Sequence, residues 1–210
     1  MTPSLPATDQ SIGKPLSGDF AKSPLLVFYE VTQACDLVCR HCRACAQSTA
    51  PAGELTTAQA MQLIDQLTEF PDPPRLILTG GDPLKRADIF DLIRYAVACE
   101  LDVAITPSAT PLVTPIAIRR MKDAGISRLA ISIDGADAAT HDANRGVAGS
   151  FDRSLEILVA AREIGIPTQV NTTLTPANFD QIERLADLFA GYDIALWSVF
   201  FLVPVGRARM

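Results

Sequence analysis

Six short apolar runs recur along this chain, and the stretches between them have helical periodicity. The runs are LLVFYEV (25–31), RLILTGG (75–81), DVAITPS (102–108), RLAISIDG (128–135), TQVNTTLT (168–175) and ALWSVFFLV (195–203). Each is rich in β-branched or aromatic residues, the pattern of strands buried in a parallel sheet. The intervening segments carry helix signals. Thr56 and Gln59 form a capping box ahead of a stripe made by Ala60, Leu63, Ile64 and Leu67. Ile89, Ile93, Ala96 and Val97 line a second helix, with Cys99 as a small core residue at its end. Thr114 followed by Pro115 opens a third, Ser150 caps a fourth, and Asn178 with Gln181 caps a fifth. Gly125 and Gly165 suit the left-handed position after a helix end.

Strand–helix alternation of this kind predicts an α/β fold with six parallel strands, about five helices and right-handed crossovers. The sheet can close as a doubly wound open sheet or as a partial (β/α) barrel. Either arrangement puts a site at the carboxyl ends of the strands. Cys35 to Cys45 follow the first run, Gly80, Gly81 and Asp82 the second, and Ser108 the third. Ser132 and Asp134 end the fourth and Asn171 to Thr173 the fifth, so the chemically capable residues gather on one rim.

At 210 residues the chain is long enough for one domain with a sizeable core, expected over 24–210 behind a flexible tail at 1–23. The tail lacks the apolar stretch of a signal peptide, and no run is long enough to span a membrane. The net charge of −6 disfavours a nonspecific nucleic-acid binder. A cytoplasmic location is the default expectation, and thiols stay reduced there.

Four of the five cysteines fall between positions 35 and 45, at Cys35, Cys39, Cys42 and Cys45. Structural zinc takes four ligands, as a rule in two separated pairs. Here Cys39/Cys42 and Cys42/Cys45 overlap, and no second pair follows. A four-thiolate electron-carrier cluster fits such a loop but needs no chain of βα units behind it. In a third reading, three thiolates hold a four-iron cluster and leave one iron free to bind a small molecule.

The spacing Cys35-x3-Cys39-x2-Cys42 after a first strand, with TGGDP (79–83) and SIDG (132–135), resembles the radical S-adenosylmethionine (SAM) superfamily over roughly 24–205. The resemblance implies a partial (β/α)6 TIM-like barrel and a [4Fe-4S] cluster on Cys35, Cys39 and Cys42. It also implies one-electron cleavage of SAM to a 5′-deoxyadenosyl radical that abstracts hydrogen from a substrate. His41 is expected beside the adenine. Gly80, Gly81 and Asp82 are expected near the methionyl amino group, with Asp82 where the family usually has glutamate. Ser132 is assigned to the ribose or carboxylate, Asn171 to the ribose, and Arg153 to the SAM carboxylate, with Arg145 as a second candidate. A surface salt bridge is the alternative for Arg153, and a strand-end cap for Asn171. His141 is expected as a solvated loop residue. Cys45 is expected as a bystander, redox-sensitive thiol on a short helix after the loop.

HDANRGVAGSFDRSLEIL resembles the branch containing peptide maturases and heme-biosynthesis enzymes. The implied substrate is a peptide or a tetrapyrrole, and the implied electron donor a flavodoxin or ferredoxin. No nucleic-acid or membrane partner is implied. Members of that branch often carry a C-terminal cysteine-rich extension. VPVGRARM ends the sequence without one, so the core is expected to be C-terminally incomplete. A non-catalytic iron–sulfur or SAM-binding relative is the alternative.

Overall fold

The computed structural model describes residues 19–209; most of the expected N-terminal tail lies outside the described residues. Strands β1 (Leu26–Thr32), β2 (Arg75–Gly80), β3 (Val103–Ile105), β4 (Arg128–Ser132), β5 (Thr168–Leu174) and β6 (Leu196–Phe201) correspond to the six runs. They form one sheet in the order β1-β2-β3-β4-β5-β6, every pair parallel. A doubly wound sheet reverses its strand order midway; this one never does. Crossovers of one hand then put the helices on a single face and curl the sheet into a partial barrel.

Burial along the strands follows from that curl. In β5, Thr168, Val170, Thr172 and Leu174 are buried, while Gln169, Asn171 and Thr173 between them are half-buried. β2 repeats this, with Leu76 and Leu78 buried and Ile77 and Thr79 less so. Leu76, Leu78 and Val170 of this buried set join one core with Ala60, Ile64, Leu92, Ile93, Ile118 and Met121 of the helices. At the two ends of the sheet, Phe28 on β1 and Phe200 and Phe201 on β6 remain exposed.

Six helices connect the strands: α1 (Thr57–Thr68), α2 (Ile89–Ala98), α3 (Pro115–Asp123), α4 (Ala138–Arg145), α5 (Ser150–Ile164) and α6 (Ile182–Ala190). The capping box at Thr56 and Gln59 forms in both directions, and Thr114 accepts from the amide of Ala117 with Pro115 in the first turn. Cys99 follows α2 and packs half-buried on the core. Gly125 and Gly165 both take positive φ, at 95° and 76°.

Three local expectations change. Helix α4 was not expected. Asp137 caps it by accepting from Thr140, and Gly146 ends it at φ 72°. Ser150 does not cap α5; its hydroxyl donates to Asp142 of α4, which also accepts from the amides of Gly149 and Phe151. Asn178 and Gln181 do not cap α6 through their side chains. Asn178 donates to the carbonyls of Asp134 and Thr173, and Gln181 accepts from Ala136 and donates to Thr140, tying α6 to the turn after β4.

Candidate active site

The loop after β1 is held from four sides. At its own base, the Cys35 amide donates to Gln47 and the Gln47 amide to Gln33, while Glu54 accepts from the Thr32 hydroxyl and the Gln33 amide. From β2, the amides of Gly81 and Asp82 donate to the carbonyls of Thr32 and Ala34, each at 2.7 Å. From α4, the Asn144 carbonyl accepts from the Arg40 amide. From the turn Gly206–Arg209, the Arg207 amide donates to the Cys42 carbonyl, and its side chain reaches Cys39 and Ala46.

The two glycines after β2 earn their place in this docking. A Cβ on Gly80, whose φ is 134°, would sit 2.3 Å from the Thr32 carbonyl oxygen, and one on Gly81 would sit 2.4 Å from that of Ala34. Backbone meets backbone here, so only glycine fits. Both residues also border a cavity of about 360 Å3 at the carboxyl ends of the strands.

Cys35, Cys39 and Cys42 all line that cavity, with His41, Gly80, Gly81, Ser132, His141, Arg145 and Arg207. Each of the three sulfurs meets a donor. Cys35 Sγ lies 3.3 Å from the Ser108 hydroxyl and accepts from the Leu37 amide. Cys42 Sγ accepts from the Ala46 amide at 3.4 Å, and Cys39 Sγ from Arg145 Nη1 at 3.7 Å. Burial pushes the Cys35 thiol up, against the opposing pull of Ser108 and Leu37. Cys45 is exposed, takes φ 49°, lies in no helix and does not line the cavity, which corrects its expected place on a short helix.

Asp82 is fully buried but does not line the cavity. Its carboxylate accepts from the Thr110 hydroxyl at 2.7 Å and from the amides of Leu84 and Ser108. Burial raises its carboxyl above the ordinary range, and those hydrogen bonds oppose the rise. Arg153 and Asn171 also stay outside the lining. Arg153 belongs to α5, which packs in the helix layer against α3, α4 and β4. Asn171 accepts from Gln169 Nε2, one layer below Thr173, which does reach the cavity.

Beside the thiols, and touching Cys39 through Arg145, lies a cluster centred on Asp134, itself 0% exposed. Its Oδ2 pairs with Arg145 Nη2 at 2.6 Å and His41 Nε2 at 3.3 Å; its Oδ1 accepts from the Thr173 amide at 2.7 Å. Burial lowers the His41 imidazole, with Asp134 opposing. His141 is buried at 0% exposure, which corrects its expected place in a solvated loop. Its Nδ1 accepts from the Asp134 amide, and its ring tilts onto Phe151 at 5.7 Å. Burial, then the nearby Arg145 charge, push its pKa down to about 4. His141 and Arg145 stand four apart on α4, which points both to the cavity; that i, i+4 spacing between an Asp cap and a Gly stop is the signal that sequence reasoning missed.

The residues present suit an iron–sulfur cluster and a polar ligand. Three thiols border one cavity, each beside a donor that favours a thiolate. Nearby, His41 Nδ1, His141 Nε2, Arg145 Nε and Arg207 Nη2 are buried without hydrogen-bond partners. Buried polar atoms of this kind call for a partner. Among the described residues, no three His, Cys, Asp or Glu side chains converge on one metal ion.

The Radical SAM superfamily model matches residues 29–189, and the chain belongs to that family. Members use a [4Fe-4S] cluster and SAM. An "AdoMet-dependent heme synthase" of Methanosarcina barkeri is 41% identical over 88% of this chain and 52% of the relative. One of Nitratidesulfovibrio vulgaris is 44% identical over 87% of this chain and 49% of the relative. The "Mycofactocin maturase MftC" of Mycobacterium tuberculosis is 34% identical over 88% and 46%. The chain thus spans about half the length of these curated relatives. Among solved structures, Streptococcus suis SuiB bound to S-adenosylmethionine superposes with a TM-score of 0.76 at 19% identity, covering 88% of this chain and 42% of that one. That likeness shows the fold. Among the described residues no helix is long and apolar enough to cross a membrane.

Proposed function

We propose that this chain is the catalytic core of a radical SAM enzyme acting on a tetrapyrrole. The observation that carries the catalytic part is the division of the cysteine loop. Cys35, Cys39 and Cys42 border the cavity beside hydrogen-bond donors, whereas Cys45 is exposed and does not line it. Three ligands suit a cluster whose fourth iron must stay open for SAM. When bound, the cluster supplies the electron that breaks the sulfonium bond of SAM and so generates a hydrogen-abstracting 5′-deoxyadenosyl radical.

The chain's own residues hold and shield this chemistry. Cys35, Cys39 and Cys42 are the proposed ligands. Ser132 and the unpartnered nitrogens of Arg145 and Arg207 offer donors for a carboxylate. Arg145 takes over the carboxylate role first assigned to Arg153. Gly80 and Gly81 bring backbone to the cavity wall, and His41 borders the same space for an adenine. Asp82 acts indirectly, by accepting from Thr110 and from the amide of Ser108, whose hydroxyl lies beside Cys35. Phe200, Phe201 and Val203 give the β6 side of the cavity an apolar rim, suited to a flat, largely apolar substrate.

The tetrapyrrole assignment is supported by the higher identity to the proteins named heme synthase than to the one named maturase. Anaerobic reconstitution tests the reading. Reductant-dependent 5′-deoxyadenosine formation, increased by an iron porphyrin and not by a peptide, is the expected result. A cluster without SAM cleavage makes the chain a binding relative. Stimulation by peptide alone moves the substrate to the other class.

A further inference from the structure

We propose that Arg145 and Asp134 form a buried charge couple that sets the reduction potential of the cluster through the sulfur of Cys39. The inference rests on Cys39 being a cluster ligand. Arg145 is then a positioning residue acting through that sulfur, and Asp134 positions Arg145.

Asp134 is fixed by its neighbours, and its Oδ2 meets Arg145 as an ion pair without a hydrogen bond. Arg145 Nη2 lies 2.6 Å from Asp134 Oδ2 while Nη1 of the same guanidinium donates to Cys39 Sγ at 3.7 Å. Asp134 cannot swing, because its other oxygen accepts from Thr173, its amide donates to His141, and its carbonyl accepts from Asn144 and Asn178. Asn144 precedes Arg145 on α4, and its carbonyl accepts from the Arg40 amide of the cysteine loop. The guanidinium and the Cys39 stretch are thus held by the same short helix.

The couple is also largely withdrawn from bulk water. The side chains of Arg145 and Asp134 are 12% and 1% exposed, so salt and water screen them little. A buried ion pair contributes little net stability compared with apolar side chains of the same volume. Placed with its positive end on a cluster sulfur, it has an electrostatic consequence that an apolar pair lacks. Reduction adds one electron to the cluster, and a cation and N–H donor at a ligand sulfur favour the reduced form. Asp134 partly cancels that cation.

The two members therefore push in opposite directions. Arg145→Gln removes the cation and leaves the Asp134 carboxylate facing the cluster; its midpoint potential falls below wild type. Asp134→Asn keeps the acceptor for Thr173 and frees the Arg145 charge; its potential rises above wild type. Arg145→Lys keeps the charge and stays nearer wild type than Arg145→Gln. A role confined to anchoring α4 predicts no such opposition of sign.

The test is a redox titration followed by electron paramagnetic resonance, on anaerobically reconstituted 210-residue chain without SAM, with iron measured in each sample. Opposite shifts in Arg145→Gln and Asp134→Asn support the couple. Shifts of the same sign, or no shift in clusters of full iron content, overturn it. If Arg145→Gln fails to hold a cluster, Asp134→Asn decides: a potential at or below wild type overturns the proposal. If the wild-type chain takes up no cluster, the ligand reading fails first and the inference with it.

Discussion

Arg207 Nε donates to the carbonyl of Cys39 at 2.8 Å, and Nη1 of the same side chain donates to that of Ala46 at 3.0 Å. One guanidinium thus spans the cysteine loop from its second thiol to the turn beyond its fourth. Gly206 makes the approach possible, since a Cβ there would lie 2.4 Å from the carbonyl oxygens of Cys42 and Arg43.

Arg207→Ala removes both bonds and leaves two carbonyls without a side-chain donor. Hydrogen bonds to a charged donor are worth about 1.5–3 kcal/mol each in stability. The expected result is faster amide exchange across residues 39–46 and a chain less stable by at least about 3 kcal/mol, with exchange in β3 and β4 unchanged. Unaltered exchange in the loop would mean that it holds itself without the strap.

The turn after β2 gives a second prediction. Gly80→Ala meets the Thr32 backbone and must hold a φ of 134° that alanine avoids. A loss of at least about 2 kcal/mol follows, together with reduced iron uptake because the cysteine loop is displaced. Asp82→Glu, which restores the acid usual in the family, adds a methylene to a site with no exposure. Overpacking of that kind costs about 1–3 kcal/mol. Thermal unfolding with iron analysis checks both; an Asp82→Glu chain more stable than wild type would contradict the buried role of this carboxylate.

His141 makes stability depend on pH. Its pKa in the folded protein is about 4, pushed down by burial and Arg145, against about 6.5 in an unfolded chain. Between those values the unfolded chain binds the extra proton, so stability is fully present above pH of about 6.5 and declines as pH falls toward about 4. The loss amounts to about 3 kcal/mol at the acid end. Asp82, raised by burial, contributes the opposite slope over part of the same range, so the comparison is made against a variant. His141→Asn keeps an acceptor for the Asp134 amide and removes the titration. Denaturant unfolding at stepped pH is expected to show a shallower decline in His141→Asn than in wild type. Parallel slopes would remove His141 as the cause.

Much of this molecule is legible in its residues. The strands stand out because they are buried against a helix layer, where apolar side chains are unavoidable; the cysteine spacing stands out because thiols are rare and the loop is short. Helix α4 does not stand out, since AATHDANR offers almost no apolar face, and its two important side chains turn inward through i, i+4 spacing alone. Arg207 was invisible for another reason. Its partners are main-chain carbonyls 168 and 161 residues away, and a carbonyl leaves no mark in a sequence. Arg153 drew attention by its place at a helix start, but that helix lies in the outer layer, whereas Arg145 lines the cavity.

Iron content and visible absorbance of the four single variants Cys35→Ala, Cys39→Ala, Cys42→Ala and Cys45→Ala, after anaerobic reconstitution, test the three-plus-one division most directly. The account predicts about four irons per chain and a brown protein for wild type and Cys45→Ala. It predicts loss of the cluster in each of the other three. A Cys45→Ala chain that loses its cluster while one of the other three keeps it would contradict the assignment of an open iron at this cavity.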